Sequence, residues 1–263
     1  MARQSLKNVC RLIEAAKDTL SPEQDFLNDL KRSIEMTADK GHRLPSKTYK
    51  PSGMNCIRQS YYQIVGKEPD QSSFNYTMVG ILNSGTDIHV RVQTAVEQMK
   101  ENGMDCEYID VAEYVKQRQI DSLDIISKSG METKLYHKDL NISFLCDGII
   151  RYRNHYYILE LKTEASFKFA QRKGVDPSHY AQGTAYSMIF NIPDVLFVYI
   201  SRDVLDMKAY MFRPTEEMVK ELVDKINTCD EYVAKNEAPP KPGDIDRRTC
   251  NYCGYKSICD KEI

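Results

Sequence analysis

The chain has almost no excess of charge of either sign. Its 36 Lys and Arg against 38 Asp and Glu leave a formal net charge of -2 over 263 residues. No global field therefore announces a polyanionic partner, and any nucleic-acid contact must come from basic residues gathered locally. No apolar run approaches the roughly 18 residues that suggest a membrane span. The start, MARQSLKNVCRLIEAAKDTL, is interrupted by Lys7, Arg11 and Glu14, so it reads as an amphipathic helix and not as a signal peptide. There is no internal repeat, no low-complexity tract and no G-x-x-x-x-G-K-[ST] loop, which excludes a P-loop ATP-driven motor. What is present is an ordinary globular composition, 41% hydrophobic and 28% charged, long enough for one large domain or a domain with extensions. The absence of a secretion signal leads us to expect a cytoplasmic, reducing setting. Disulfides are then not expected among the eight cysteines, and clustered cysteines point to metal or redox chemistry.

Ser21-Pro22-Glu23-Gln24 is a helix start, with Ser as N-cap, Pro at the first helical position and Gln24 completing a capping box; Gly41 closes it. HRLPSKTYKPSGMN is a basic connector. A short helix follows around CIRQSYYQIVG, and a longer one spans most of 77–101 despite Gly80 and Gly85. The middle then changes character. CEYIDVAEYV, NISFLCDGII, HYYILELKT and VLFVYIS carry the β-branched and aromatic residues of strands. Asp176-Pro177 starts a helix running to about Phe190, LDMKAYMF returns as a hairpin after VLFVYIS, and Thr215 caps an amphipathic helix. APPKPGDIDRRT links to a cysteine-bearing tail. Helices, a mixed sheet with a crossover helix, then a helix and tail make an α/β fold with a helical N-terminal addition.

Two places carry chemistry. A hairpin turning at Arg153-Asn154 sets Asp147 opposite Glu160, with Cβ atoms about 5 Å apart. Alternation puts Ile158, Glu160 and Lys162 on one face and Leu159 and Leu161 on the other. Two carboxylates side by side repel, so the pair makes sense around a divalent cation such as Mg²⁺ or Mn²⁺, with the lysine positioning water or offsetting phosphate charge. Taken singly, E-x-K on a strand is equally an ordinary surface pair. His89 is a further candidate ligand for such a metal. The second place is the tail, CNYCGYKSIC, where Cys250, Cys253 and Cys259 can converge but supply only three ligands. Cys10, Cys106, Cys146 and Cys229 read as small buried residues. Cys56, where a loop meets a helix, is the candidate fourth.

Taken in order, these motifs resemble the iron–sulfur nucleases of the RecB/AddB class, which include the CRISPR-associated iron–sulfur exonucleases and their viral relatives. The carriers are Cys56-x-Arg58-x2-Tyr61, Gly85-x3-His89, Asp147 with Glu160-Leu161-Lys162, Gln182-x3-Tyr186, and Cys250-x2-Cys253-x5-Cys259. The resemblance covers residues 56–259. It implies a PD-(D/E)XK restriction-endonuclease-like core with a mixed central sheet flanked by helices, a 1–55 helical extension and connector, and a 56–259 nuclease domain closed by its cluster. It implies that His89, Asp147, Glu160 and the Leu161 carbonyl bind Mg²⁺ or Mn²⁺, that Lys162 assists the attacking water, and that Gln182 and Tyr186 help hold DNA. It implies a [4Fe–4S] cluster on Cys56, Cys250, Cys253 and Cys259, stapling the tail to the N-terminal helices, although the spacing alone does not exclude zinc. Cys146 stands where the motif's name has proline. The expected activity is a metal-dependent deoxyribonuclease, foremost an exonuclease on single-stranded or frayed ends in recombination, repair or end processing, with recombination or replication proteins as partners. The alternatives are a structure-selective endonuclease and a DNA-binding or scaffolding module of the same fold that cuts poorly. Around the site we expect a nucleic-acid path of Arg151, Arg153, His155, Lys168, Arg172 and Lys173 interleaved with aromatic residues.

Overall fold

A computed structural model describes residues 21–38, 45–70, 75–243, 250–251 and 253–261. The expected first helix, Cys10 and the Gly41 stop lie outside these. The chain divides into two compact units, 1–42 with 73–83, and 43–72 with 84–263. In the smaller, helix α1 (Pro22–Thr37) begins at Ser21 with Pro at its first turn. The Ser21 side chain makes no cap bond; its carbonyl takes the N–H groups of Gln24 and Asp25 instead. The expected capping box therefore does not form. No residue of α1 is buried. Within the same unit, Lys31 lies 5.0 Å from the Tyr76 ring and Glu35 accepts from the Tyr76 N–H.

The larger unit holds helix α2 (Ile57–Ile64), most of α3 (Tyr76–Gln98, from Ser84 onward), strand β1 (Cys106–Ile109) and helix α4 (Val111–Gln117). Strands β2 (Leu123–Ser129), β3 (Glu132–His137), β4 (Ile142–Cys146), β5 (Gly148–Tyr152) and β6 (His155–Glu164) follow. Helix α5 (Ser166–Gln171), α6 (Tyr180–Phe190), strands β7 (Val195–Ser201) and β8 (Met207–Phe212), and helices α7 (Glu216–Lys235) and α8 (Lys256–Lys261) complete it. One sheet runs β1-β5-β6-β7-β8 and is mixed, since only the β6–β7 pair is parallel. A smaller antiparallel sheet runs β2-β3-β4. This is the expected α/β architecture, a central mixed sheet flanked by helices.

Two expected strands are broken, each for a local reason. In CEYIDVAEYV only β1 is extended. Asp110 accepts the Glu113 N–H at 3.0 Å and caps α4, so a local side-chain bond overrides the strand-like composition. NISFLCDGII is two strands in two sheets: the chain leaves the small sheet at Cys146 and enters the large one at Gly148, and Asp147 is the residue between.

The β5–β6 turn is as expected. Arg153 and Asn154 both have positive φ, 48° and 67°, the signature of the two-residue type I′ turn whose twist matches its strands. The ladder pairs Gly148 with Leu159 and Ile149 with Ile158, so one step further Asp147 faces Glu160. Strand β6 is buried on both faces. Ile158 belongs to the larger core with α6 and α7, while Leu159 and Leu161 join Ile88 and Val92 of α3 in a second core. Each such buried aliphatic side chain contributes about 1.5–3 kcal/mol.

Two glycines permit close packing. A Cβ on Gly85 would lie 3.3 Å from Thr163 Oγ1, which brings α3 down onto β6. A Cβ on Gly183 would lie 2.7 Å from the Phe212 ring, under α6. Gly183→Ala is therefore expected to destabilise the fold by about 1–3 kcal/mol through overpacking, despite alanine's better helix propensity. Chemical denaturation reads this directly, and a variant at least as stable as the parent would mean the ring moves aside freely.

Candidate active site

The acidic pair owes its geometry to the sheet. Register places Asp147 beside Glu160, and both are buried, at 5% and 4% exposure. Asp147 Oδ2 accepts the Leu161 N–H at 2.7 Å, and Oδ1 lies 3.5 Å from His89 Nδ1. Gln93, one helical turn past His89 on α3, donates to the Asp147 carbonyl at 3.1 Å. The backbone and side chain of the one residue between the sheets are thus both held. Burial works to push His89 down, but the neighbouring Asp147 and Glu160 charges outweigh it and the net shift is upward.

Glu160 is placed by a directed network. Lys162 Nζ lies 2.7 Å from Glu160 Oε1 and donates to Gln182 Oε1 at 2.8 Å. The Gln182 amide nitrogen donates to Glu160 Oε1 at 2.7 Å and to the Tyr186 hydroxyl at 3.0 Å, and that hydroxyl donates to the Leu145 carbonyl at 2.6 Å. Lys162 can only donate, so Gln182 turns its oxygen toward Lys162 and its nitrogen toward Glu160, which fixes the amide orientation. Glu160 Oε2 is buried and has no hydrogen-bond partner. Burial pushes the Glu160 carboxyl up to about 7 and the Asp147 charge adds to this, against the opposing Lys162. A buried carboxylate with one bare oxygen beside a second carboxylate fits a hard divalent cation, as do the imidazole and carbonyl nearby. Among the described residues no three His, Cys, Asp or Glu side chains already surround a common point at ligand distance.

His89, Asp147, Glu160, Leu161 and Lys162 line one open cavity of about 570 Å³, with Gln182 and Tyr186 in its wall. Both are themselves buried, at 6% and 2% exposure. Gln93 and the cavity-lining Lys134 were not singled out in the sequence. For Gln93 the available signal was its place four residues after His89.

The expected nucleic-acid path is only partly available. Arg172 is sealed: it makes a two-point pair with Glu164 at 2.6 and 2.7 Å, reaches Asp176, and lies 3.9 Å over the Tyr199 ring. Lys168 pairs with Asp176 at 3.0 Å, and Arg151 pairs with Glu107. Phe169 is buried beneath Lys208. These side chains hold the structure together, because acids on neighbouring elements take up their charge.

The cysteine places are also near one another. Cys56 is the N-cap of α2, Cys253 and Cys259 are half-buried, and Cys250 is exposed. Burial pushes the Cys56 and Cys253 thiols up; Cys56 also feels Cys250 and Cys259, and Cys253 feels Cys56, Cys250 and Cys259. The tail is held by contacts other than sulfur. Asp70 donates its N–H to the Gly254 carbonyl and accepts the Ser257 N–H at 2.9 Å, and Tyr255 packs 5.8 Å from Tyr62. Cys106, Cys146 and Cys229 are buried, as expected. Among the described residues no helix is long and apolar enough to cross a membrane.

No protein-family model matches the chain, and no curated protein matches it by sequence. Among solved structures it is similar to the protein SSO0001, at 16% identity, over 92% of this chain and 98% of that one, with a TM-score of 0.44. It is similar to LHK-Exo in complex with dAMP at 10% identity, over 72% and 89%, TM-score 0.42. It is also similar to an alkaline exonuclease, LHK-Exo, from Laribacter hongkongensis at 8% identity, over 73% and 90%, TM-score 0.36.

Proposed function

We propose that the chain is a metal-dependent deoxyribonuclease of the PD-(D/E)XK type, RecB-like, acting foremost as an exonuclease on single-stranded or frayed DNA ends. The observation that carries this reading is the buried Asp147–Glu160 pair with one bare carboxylate oxygen, set beside Lys162 in an open cavity. His89, Asp147, Glu160 and the Leu161 carbonyl would hold Mg²⁺ or Mn²⁺, which when bound supplies a more acidic water and offsets charge on the phosphate. Lys162 has three N–H donors, of which Glu160 and Gln182 take two. The third is left to orient a water or a phosphate oxygen in the cavity. Gln182 and Tyr186 keep Glu160 and Lys162 in place and meet the strand from the wall. Cys56, Cys250, Cys253 and Cys259 would hold a [4Fe–4S] cluster as a structural clamp, apart from the chemistry. Recombination, repair or end processing is the setting in which such an activity is needed.

The test is cleavage of end-labelled single- and double-stranded DNA by anaerobically purified protein with Mn²⁺, with Mg²⁺ and with EDTA. Cutting should require the metal. Lys162→Ala should fold normally, keep its iron and lose about 10²-fold or more of the rate. Wild-type rates in that variant would remove Lys162 from the site. No cutting by the parent protein, its iron intact, would favour the DNA-binding module.

A further inference from the structure

The acids and Lys162 occupy one wall of the cavity, and the small sheet supplies part of the other. Strand β3 alternates, with Thr133 and Leu135 buried and Lys134 exposed. Strand β4 does the same, with Ile142, Phe144 and Cys146 buried and Leu145 48% exposed. Register sets Lys134 directly opposite Leu145 and Tyr136 opposite Ser143. Lys134, Ser143 and Leu145 therefore share one face, and all three line the cavity that holds Asp147, Glu160 and Lys162. Among the described residues no carboxylate pairs with Lys134. Leu145 presents nearly half its surface to water in the same cavity as Asp147, Glu160 and Lys162. Backbone bonds tie the platform to the preceding connector. Its β4 edge is bridged by Tyr49, which exchanges backbone bonds with Asn141 and Ser143 at 2.8 and 2.9 Å and is itself buried.

We propose that this face of the β3–β4 ladder is the strand-binding track of the site. Lys134 takes a backbone phosphate next to the one being cut, and Leu145 packs on the adjoining sugar or base. The inference rests on the nuclease reading and adds its substrate contact. A cation and an exposed apolar side chain side by side suit an unpaired strand, which offers phosphate and base faces together, and suit paired DNA less well, because its base faces are stacked away. The track also explains how a chain with no net basic charge can hold DNA: the contact is local and sits beside the chemistry.

The test is fluorescence anisotropy of a labelled oligo-dT strand in Ca²⁺, across a salt series, with Mn²⁺-dependent cutting of the same preparation measured alongside. Lys134→Ala should weaken binding about fivefold at low salt and reduce the slope of log affinity against log salt by about 0.7, the loss of one phosphate contact to a single strand. Lys134→Arg should restore both. Leu145→Ala should weaken binding with the slope unchanged. A parent protein that binds and cuts, with Lys134→Ala unchanged in affinity and slope, overturns the track and leaves the nuclease. A parent protein that neither binds nor cuts overturns both.

Discussion

Glu160→Gln is expected to abolish cleavage and, in the same protein, to raise stability. The first effect follows from its proposed role: losing one hard oxygen ligand beside the reacting phosphate should lower the rate by about 10³-fold or more. The second follows from burial. Glu160 is almost without solvent, one oxygen has no donor, and its carboxyl is pushed up to about 7. Between the ordinary carboxylate range and about pH 7 the folded protein holds this proton more tightly than the unfolded chain does. Stability then falls as pH rises through that window, and above it the whole penalty is present, about 3 kcal/mol at most. Glutamine removes the charge while keeping the shape. Urea denaturation in EDTA should therefore show the variant more stable than the parent at pH 8 by about 1–3 kcal/mol, with the gap closing near pH 5. A variant less stable at both pH values would mean that the Lys162 pairing outweighs the burial cost. A variant that cuts at the parent rate would remove Glu160 from the chemistry.

Cys253→Ala should give protein without the brown colour of an iron–sulfur cluster, and should lower the melting midpoint by about 10 °C. The fall should stop short of full unfolding. Asp70 still holds Gly254 and Ser257, and Tyr255 still packs beside Tyr62. Iron analysis and thermal melting together decide the matter. Full iron with an unchanged midpoint would show that Cys253 is no ligand, and stoichiometric zinc in the parent protein would keep the clamp but replace the cluster.

The β5–β6 hairpin was legible in the sequence because its turn dipeptide falls between two apolar strand-like runs, and the facing of Asp147 and Glu160 follows from that alone. The break at Asp147 was not legible. ISFLCDGII is one continuous strand-like run, and nothing local says that its halves pair in different sheets. Nor was the β2–β3 hairpin, because most of β2 is exposed and carries no apolar alternation to read. Missing that hairpin also hid Lys134. The opposite error came from Arg172 and Lys168. Their sequence neighbours look like a basic path, but Glu164 and Asp176, only four and eight residues away along the chain, take up their charge.

The two-residue turn at Arg153-Asn154 works as a ruler. Six residues out from it on each strand, a pair of acids must arrive on the same face at the same level, and side chains on a strand change face with every residue. Point substitutions between Gly148 and Leu159 should be tolerated in proportion to their packing. A single insertion or deletion there carries a different penalty, because it turns Glu160 toward Leu159's side or slides it past Asp147. The hairpin is open to changes of composition and closed to changes of length.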